Sequence, residues 1–126
     1  MINGVVQRRI QTSRDPVIEL DVVEAGRRGD PLVLLCHGFP ETAHSWRHQI
    51  SALAEAGYHV MAPDQRGYGG SSAPDVVDAY RIDQLTADLL ALIDDAGAEQ
   101  AVIVGHDWGA IVTWLMGLLH PERCAA

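Results

Sequence analysis

Between Val5 and Ala25, apolar and polar residues alternate, and Ser13-Arg14-Asp15-Pro16 interrupts the run. The pattern predicts two strands, Val5–Thr12 and Val17–Ala25, joined by a turn. Pro31–Cys36 (PLVLLC) is apolar throughout, as a strand covered on both faces should be. His44–Ala56 reads as a helix that Gly57 is placed to end, and Tyr58–Ala62 as a fourth strand. From Ile82 to Ala96, Ile82, Leu85, Leu89, Leu92 and Ile93 recur at helical spacing, with Asp83, Asp88 and Asp94 elsewhere on the cylinder. Gly97 closes that helix. Ala101–Val104 is a fifth strand, and an apolar helix follows from Trp108. Strands alternating with helices predict an α/β fold with a mostly parallel sheet, entered through an antiparallel hairpin.

In such sheets chemistry collects at the carboxyl ends of the strands. The three sharpest turns lie there: HGFP after the third strand, DQRGYGG after the fourth and GHDWG after the fifth. Composition narrows the partners. The 126 residues fit one domain or part of one, without repeat or linker. With 17 acidic residues against 9 basic ones and no basic cluster, the net charge of -8 argues against nucleic acid and anionic membrane. MINGVVQRRIQTS offers no apolar run for a secretory signal, and Trp108–Leu119 is too short to cross a bilayer. Two cysteines, Cys36 and Cys124, suggest neither a disulfide framework nor a metal knot, so a cytoplasmic home is expected.

Gly105-His106-Asp107-Trp108-Gly109 has the small-x-acid-x-small pattern of a nucleophile elbow. Gly105 and Gly109 would permit a strained turn with close backbone contacts, and Asp107 would face the positive end of a helix. The bland alternative is an ordinary N-cap aspartate. His37-Gly38-Phe39-Pro40 adds what that alternative does not predict. Gly38 allows a tight turn after the strand, and Pro40 stiffens it. The Phe39 N–H is then free to point where the Trp108 N–H points, and two such donors make an oxyanion hole.

Other candidates are weaker. Gly67-Tyr68-Gly69-Gly70 lacks a Walker lysine and reads as a loop rim, not a phosphate cradle. His44 and His48 are four apart but lack the Glu of a zinc helix, so they read as surface histidines; no metal or other cofactor is expected. His106 should turn away from the nucleophile and serve packing or support. Nothing in the sequence places Tyr58, Tyr68 or Tyr80 over Asp107.

HGFPE, SWRHQI, DQRGYGGSSAP and GHDWGA, in this order and spacing, resemble the epoxide hydrolases of the α/β-hydrolase fold, from about Val22 onward. The soluble bacterial type is the nearest form of that resemblance. It implies that Asp107 is the nucleophile, with the Phe39 and Trp108 amides as oxyanion hole and the same two residues against a small-molecule epoxide. A carboxylate suits this task because it is ionised at neutral pH and needs no base to attack an sp3 carbon. His37, Gly38, Pro40, Gly105, His106 and Gly109 would support that geometry. Aiming the Phe39 N–H at Asp107 calls for a cis Phe39–Pro40 bond, which the resemblance also implies.

Two alternatives remain open. Haloalkane or haloacid dehalogenases use the same elbow acid, but Phe39 stands where a polar halide-binding residue often occurs. A truncated, non-catalytic scaffold is the other. On the epoxide hydrolase reading, residues 1–126 are the N-terminal part of a single α/β-hydrolase domain, with the C-terminal half and lid absent. The resemblance places the general base, its orienting acid and lid tyrosines after Ala126. None of the six histidines is placed to activate water, since His37 is committed to the loop and His120 lies about 18 Å along the last helix. More chain, or another subunit, is therefore expected to complete the site, and Ala101–Val104 should form an unpaired apolar edge.

Overall fold

The computed structural model describes residues 4–126; Met1–Asn3, which begin the stretch read as lacking a leader, lie outside the described residues. β1 (Val6–Arg14) and β2 (Val17–Ala25) form the antiparallel hairpin. β1 runs two residues past its expected end because Asp15-Pro16 alone makes the turn. β3 (Leu32–Cys36), β4 (His59–Pro63) and β5 (Ala101–Gly105) follow, and β3 pairs in parallel with both others. The order across the sheet is β1-β2-β4-β3-β5, with β2 antiparallel to β4. The chain thus leaves β3 for β4 on one side and returns to β5 on the other. The crevice between β3 and β5 is the topological switch point, where such sheets open for ligands.

Strand alternation assigns the two cores. Leu32, Leu34 and Cys36 of β3 pack with Leu89, Leu92, Val112 and Met116, from α2 (Ile82–Asp95) and α3 (Trp108–Leu119). Val33 and Leu35 face the other way, onto Ile50 of α1 (Arg47–Glu55). Both faces of β3 are therefore covered, which is why its sequence is apolar without a break.

Three expectations need correction. The stretch His44–Ala56 is not one helix: Ala43–Trp46 is a 3-10 turn and α1 begins only at Arg47. Thr42 accepts from the His44 N–H and so starts the tighter turn. His44 and His48 are both exposed, as surface histidines should be. Asp88 is not on the solvent side of α2. It lies three residues after Leu85 and four before Leu92, squarely on the apolar stripe, and it is buried. Its carboxylate accepts from Arg66 Nε at 3.0 Å, Arg66 Nη2 at 2.8 Å and Thr12 Oγ1 at 2.7 Å. Lastly, β5 is not an unpaired edge. The Ala125 N–H donates to Ala101 O at 2.8 Å, and the Ile103 N–H donates to Ala126 O at 3.0 Å, so the tail lies along its outer side.

Candidate active site

The register Cys36↔Gly105 brings the turns after β3 and β5 level with each other. Two residues further on, Gly38 meets Asp107 so closely that a Cβ on Gly38 would stand 2.4 Å from the Asp107 Cβ. Under the elbow, a Cβ on Gly109 would stand 2.1 Å from Cys36 O and 2.5 Å from His37 O. Gly105 is equally tight, 2.4 Å from Gly109 O by the same measure. The contacts of Gly105 and Gly109 with these carbonyls are to backbone, which cannot swing aside, and Gly38 also comes within 2.9 Å of His106 O by the same measure, so the small residues are fixed by packing.

Asp107 is the one described non-glycine residue with positive φ, at φ 58° and ψ -124°. A side chain is strained there, and such strain persists only where the surroundings enforce it. An N-cap aspartate has extended backbone and bonds its own helix. Asp107 does neither: it makes no cap bond to α3, and its Oδ2 accepts from the Phe39 N–H at 2.9 Å. Across the turn, the amides of Phe39 and then Trp108 hold the exposed Asp107 carboxyl below the ordinary aspartate range.

The Phe39–Pro40 bond is cis, as the turn required. Glu41 closes the same loop in both directions. Its Oε1 accepts from the Gly38 N–H at 2.9 Å, and its own N–H donates to Gly38 O at 2.9 Å. The Gly38 amide holds the Glu41 carboxyl below its usual range. His106 is largely exposed, not packed, and its Nδ1 lies 3.4 Å from Glu41 Oε1. His37 is buried beneath the loop. Its Nε2 accepts from the Gln65 N–H at 2.9 Å, so the ring proton sits on Nδ1 and donates to Gly38 O, also at 2.9 Å.

A cavity of about 480 Å³ opens at Phe39 and Trp108, the residues on either side of the crevice, and is lined also by Gln65, Arg66, Gly67, Tyr68, Tyr80, Leu85 and Val112. That size suits a small organic molecule. The Tyr68 ring stands edge-on to His37 at 4.8 Å and to Phe39 at 6.5 Å. Burial, and then the charge of Asp107, push the Tyr68 hydroxyl up. Tyr80 donates its hydroxyl to Pro74 O at 2.8 Å, whereas Tyr58 precedes β4 at the opposite end. Gly67 and Tyr68 of the glycine loop line the cavity, and a Cβ on Gly69 would stand 2.1 Å from Asp64 Oδ2. Among the described residues, no group of three or more His, Cys, Asp or Glu is placed to hold a metal.

The sequence brought Asp107, Phe39, Trp108, His37 and Gly38 together; the roles of Glu41, Gln65 and Tyr68 were missed. Glu41 had a signal, being three residues after Gly38, the reach a side chain needs to bond back to an amide. Gln65 had none, because its partner lies 28 residues away.

Comparison with known proteins agrees with this fold. A family model described as alpha/beta hydrolase fold matches residues 31–126. The chain is 67% identical over 109 residues to Epoxide hydrolase A of Mycobacterium tuberculosis, covering 86% of this chain and 34% of that protein. It is 48% identical over 111 residues to Bifunctional epoxide hydrolase 2 of Sus scrofa, covering 88% of this chain and 20% of that one. The crystal structure of Epoxide Hydrolase A from Mycobacterium thermoresistibile superposes with a TM-score of 0.92 at 60% identity, covering 97% of this chain and 37% of that chain. The chain thus spans about a third of the length of its bacterial relatives, and less of the mammalian one. With its switch-point crevice, its strained acid at the elbow and these matches, the chain belongs to the alpha/beta hydrolase fold family and is similar to the epoxide hydrolases within it.

Proposed function

We propose that residues 1–126 are the N-terminal part of a single α/β-hydrolase domain, in a cytoplasmic enzyme that opens epoxides to vicinal diols through an ester on Asp107. The observation that carries this reading is the Asp107 carboxylate itself, held by the Phe39 amide across the crevice instead of capping α3. With Oδ2 so held, Oδ1 is the oxygen that attacks. A bond forms from Oδ1 to an epoxide carbon, and the ring C–O bond breaks to give an alkoxide that takes up a proton. Water then adds to Asp107 Cγ, and negative charge develops on Oδ2, already against the Phe39 N–H. Collapse releases the diol with Oδ1 and leaves the oxygen from water in Asp107. One such amide donor contributes ~3 kcal/mol to the hydrolytic transition state.

The histidine that activates this water, its orienting acid and the proton donor for the alkoxide are expected outside the 126 residues. His37 has both ring nitrogens engaged, and His106 faces Glu41 in solvent. A purified, monomeric 126-residue chain should therefore show no steady-state epoxide turnover; sustained turnover would overturn that part of the reading. The dehalogenase alternative is the poorer fit, since Phe39 rather than a polar residue stands beside Trp108 in the cavity. To test the function, the protein at its natural length is mixed with an aryl epoxide and quenched within one turnover. The peptide containing Asp107 should gain the mass of the epoxide. No adduct, or one on another residue, would refute the proposal.

A further inference from the structure

Gln65, the second residue after β4, touches His37 twice. Its backbone N–H donates to His37 Nε2 at 2.9 Å, and its side-chain Nε2 donates to His37 O at 2.6 Å. That carbonyl is also one of the two that α3 packs against at Gly109, where a Cβ would come within 2.5 Å of it. The His37 peptide is therefore pinned between the first turn of α3 and one glutamine side chain. Gln65 is itself anchored, because the preceding Asp64 is buried and accepts from the Ala43 N–H at 2.8 Å and the Gly70 N–H at 3.0 Å. The peptide so held is two residues before Phe39, and the His37 ring braces the intervening Gly38 carbonyl.

We propose that Gln65 is a positioning residue for the oxyanion loop: by gripping the ring and carbonyl of His37 it keeps the Phe39 N–H aimed at Asp107. Gln65 also lines the cavity, so the grip sits where a bound substrate would press on it. The inference rests on the reading of Asp107 as nucleophile and the Phe39 amide as its partner. Without the side-chain donor, His37 O loses a hydrogen bond at a half-buried place, and the loop is left to its own internal bonds.

The test is Gln65→Met in the protein at its natural length, which keeps the side-chain length and the backbone N–H but removes the donor. The Phe39 amide resonance, followed against pH, reports protonation of Asp107. Its midpoint should move up toward the ordinary carboxylate range. For epoxide turnover, kcat should fall roughly tenfold, less than removal of an oxyanion donor costs, while KM changes by less than about twofold. In the unaltered protein, one Gln65 side-chain proton should exchange slowly with solvent. An unmoved Asp107 midpoint in the variant, or both side-chain protons exchanging as in a free amide, would overturn the proposal. Neither of these readouts requires a substrate. A shifted midpoint in a protein that turns over no epoxide would sink the epoxide reading and leave the role of Gln65 standing.

Discussion

A methyl group on Gly38 would fall 2.4 Å from the Asp107 Cβ and 2.9 Å from His106 O, and the second of these is backbone. Gly38→Ala should therefore push the HGFP loop away from the elbow while leaving the two cores intact. Losing the Phe39 contact predicts a drop in kcat of roughly 10²–10³-fold, measured by steady-state kinetics alongside a thermal melt. On the proposed mechanism, the same contact sets the acid limit of the first step. Asp107 is held below the ordinary aspartate range, so its ionised form persists as pH falls through that range. Ester formation, followed in single turnovers, should be flat down to about pH 4 and decline only below the usual aspartate value of about 3.9. In Gly38→Ala the decline should begin at higher pH. An unshifted limb would mean that the amide does not hold the carboxylate.

At the scale of elements, two polar clusters join parts that are distant in sequence. Arg66 and Asp88 tie the loop after β4 to α2, both almost wholly buried. Asp88→Ala would strand the Arg66 charge, and breaking such a pair costs about 3–5 kcal/mol in denaturant unfolding. Replacing both partners by apolar residues should cost less than the single change. Glu24 of β2 joins Arg8 of β1 to the buried His59 of β4, and Arg8 continues to Asp95 of α2. Burial alone pushes the Glu24 carboxyl up, but Arg8 and His59 together bring it below its usual value. A carboxyl depressed on folding stabilises fully above its unfolded pKa of about 4.3, and that contribution is lost as pH falls through the folded value. Glu24→Gln should thus cost ~2 kcal/mol near pH 7 and progressively less below pH 4. A cost independent of pH would contradict the ionic account. These clusters show where the sequence stopped being informative. Periodicity identified α2, and Asp88 sat in plain view on its apolar stripe. The partner that makes a buried aspartate tolerable is 22 residues away in a loop, and no spacing rule links the two. Gln65 and His37 are hidden in the same way. The elbow was readable because its parts are local: two glycines and an acid in five residues, facing a second turn two residues past a strand.

For the whole molecule, the sheet order places β3 between β4 and β5 and sets the turns after β3 and β5 side by side. The alternation of strands and helices foretold that architecture, whereas the return of Cys124–Ala126 along β5 could not be foreseen, being set by backbone bonds that three terminal residues do not advertise. α3 presents Trp114 and Leu118 to solvent beside a second cavity of about 500 Å³, lined also by Ile103 and Cys124. On the proposed function, the chemistry belongs to the crevice, where one carboxylate is strained and held by the Phe39 amide from the facing turn. The most direct test is a single turnover of an epoxide by the protein at its natural length in heavy-oxygen water. If Asp107 forms the ester and water attacks its Cγ, the label appears in the Asp107 carboxylate and the first diol released carries none. Label in that first diol, with none in Asp107, would contradict the account.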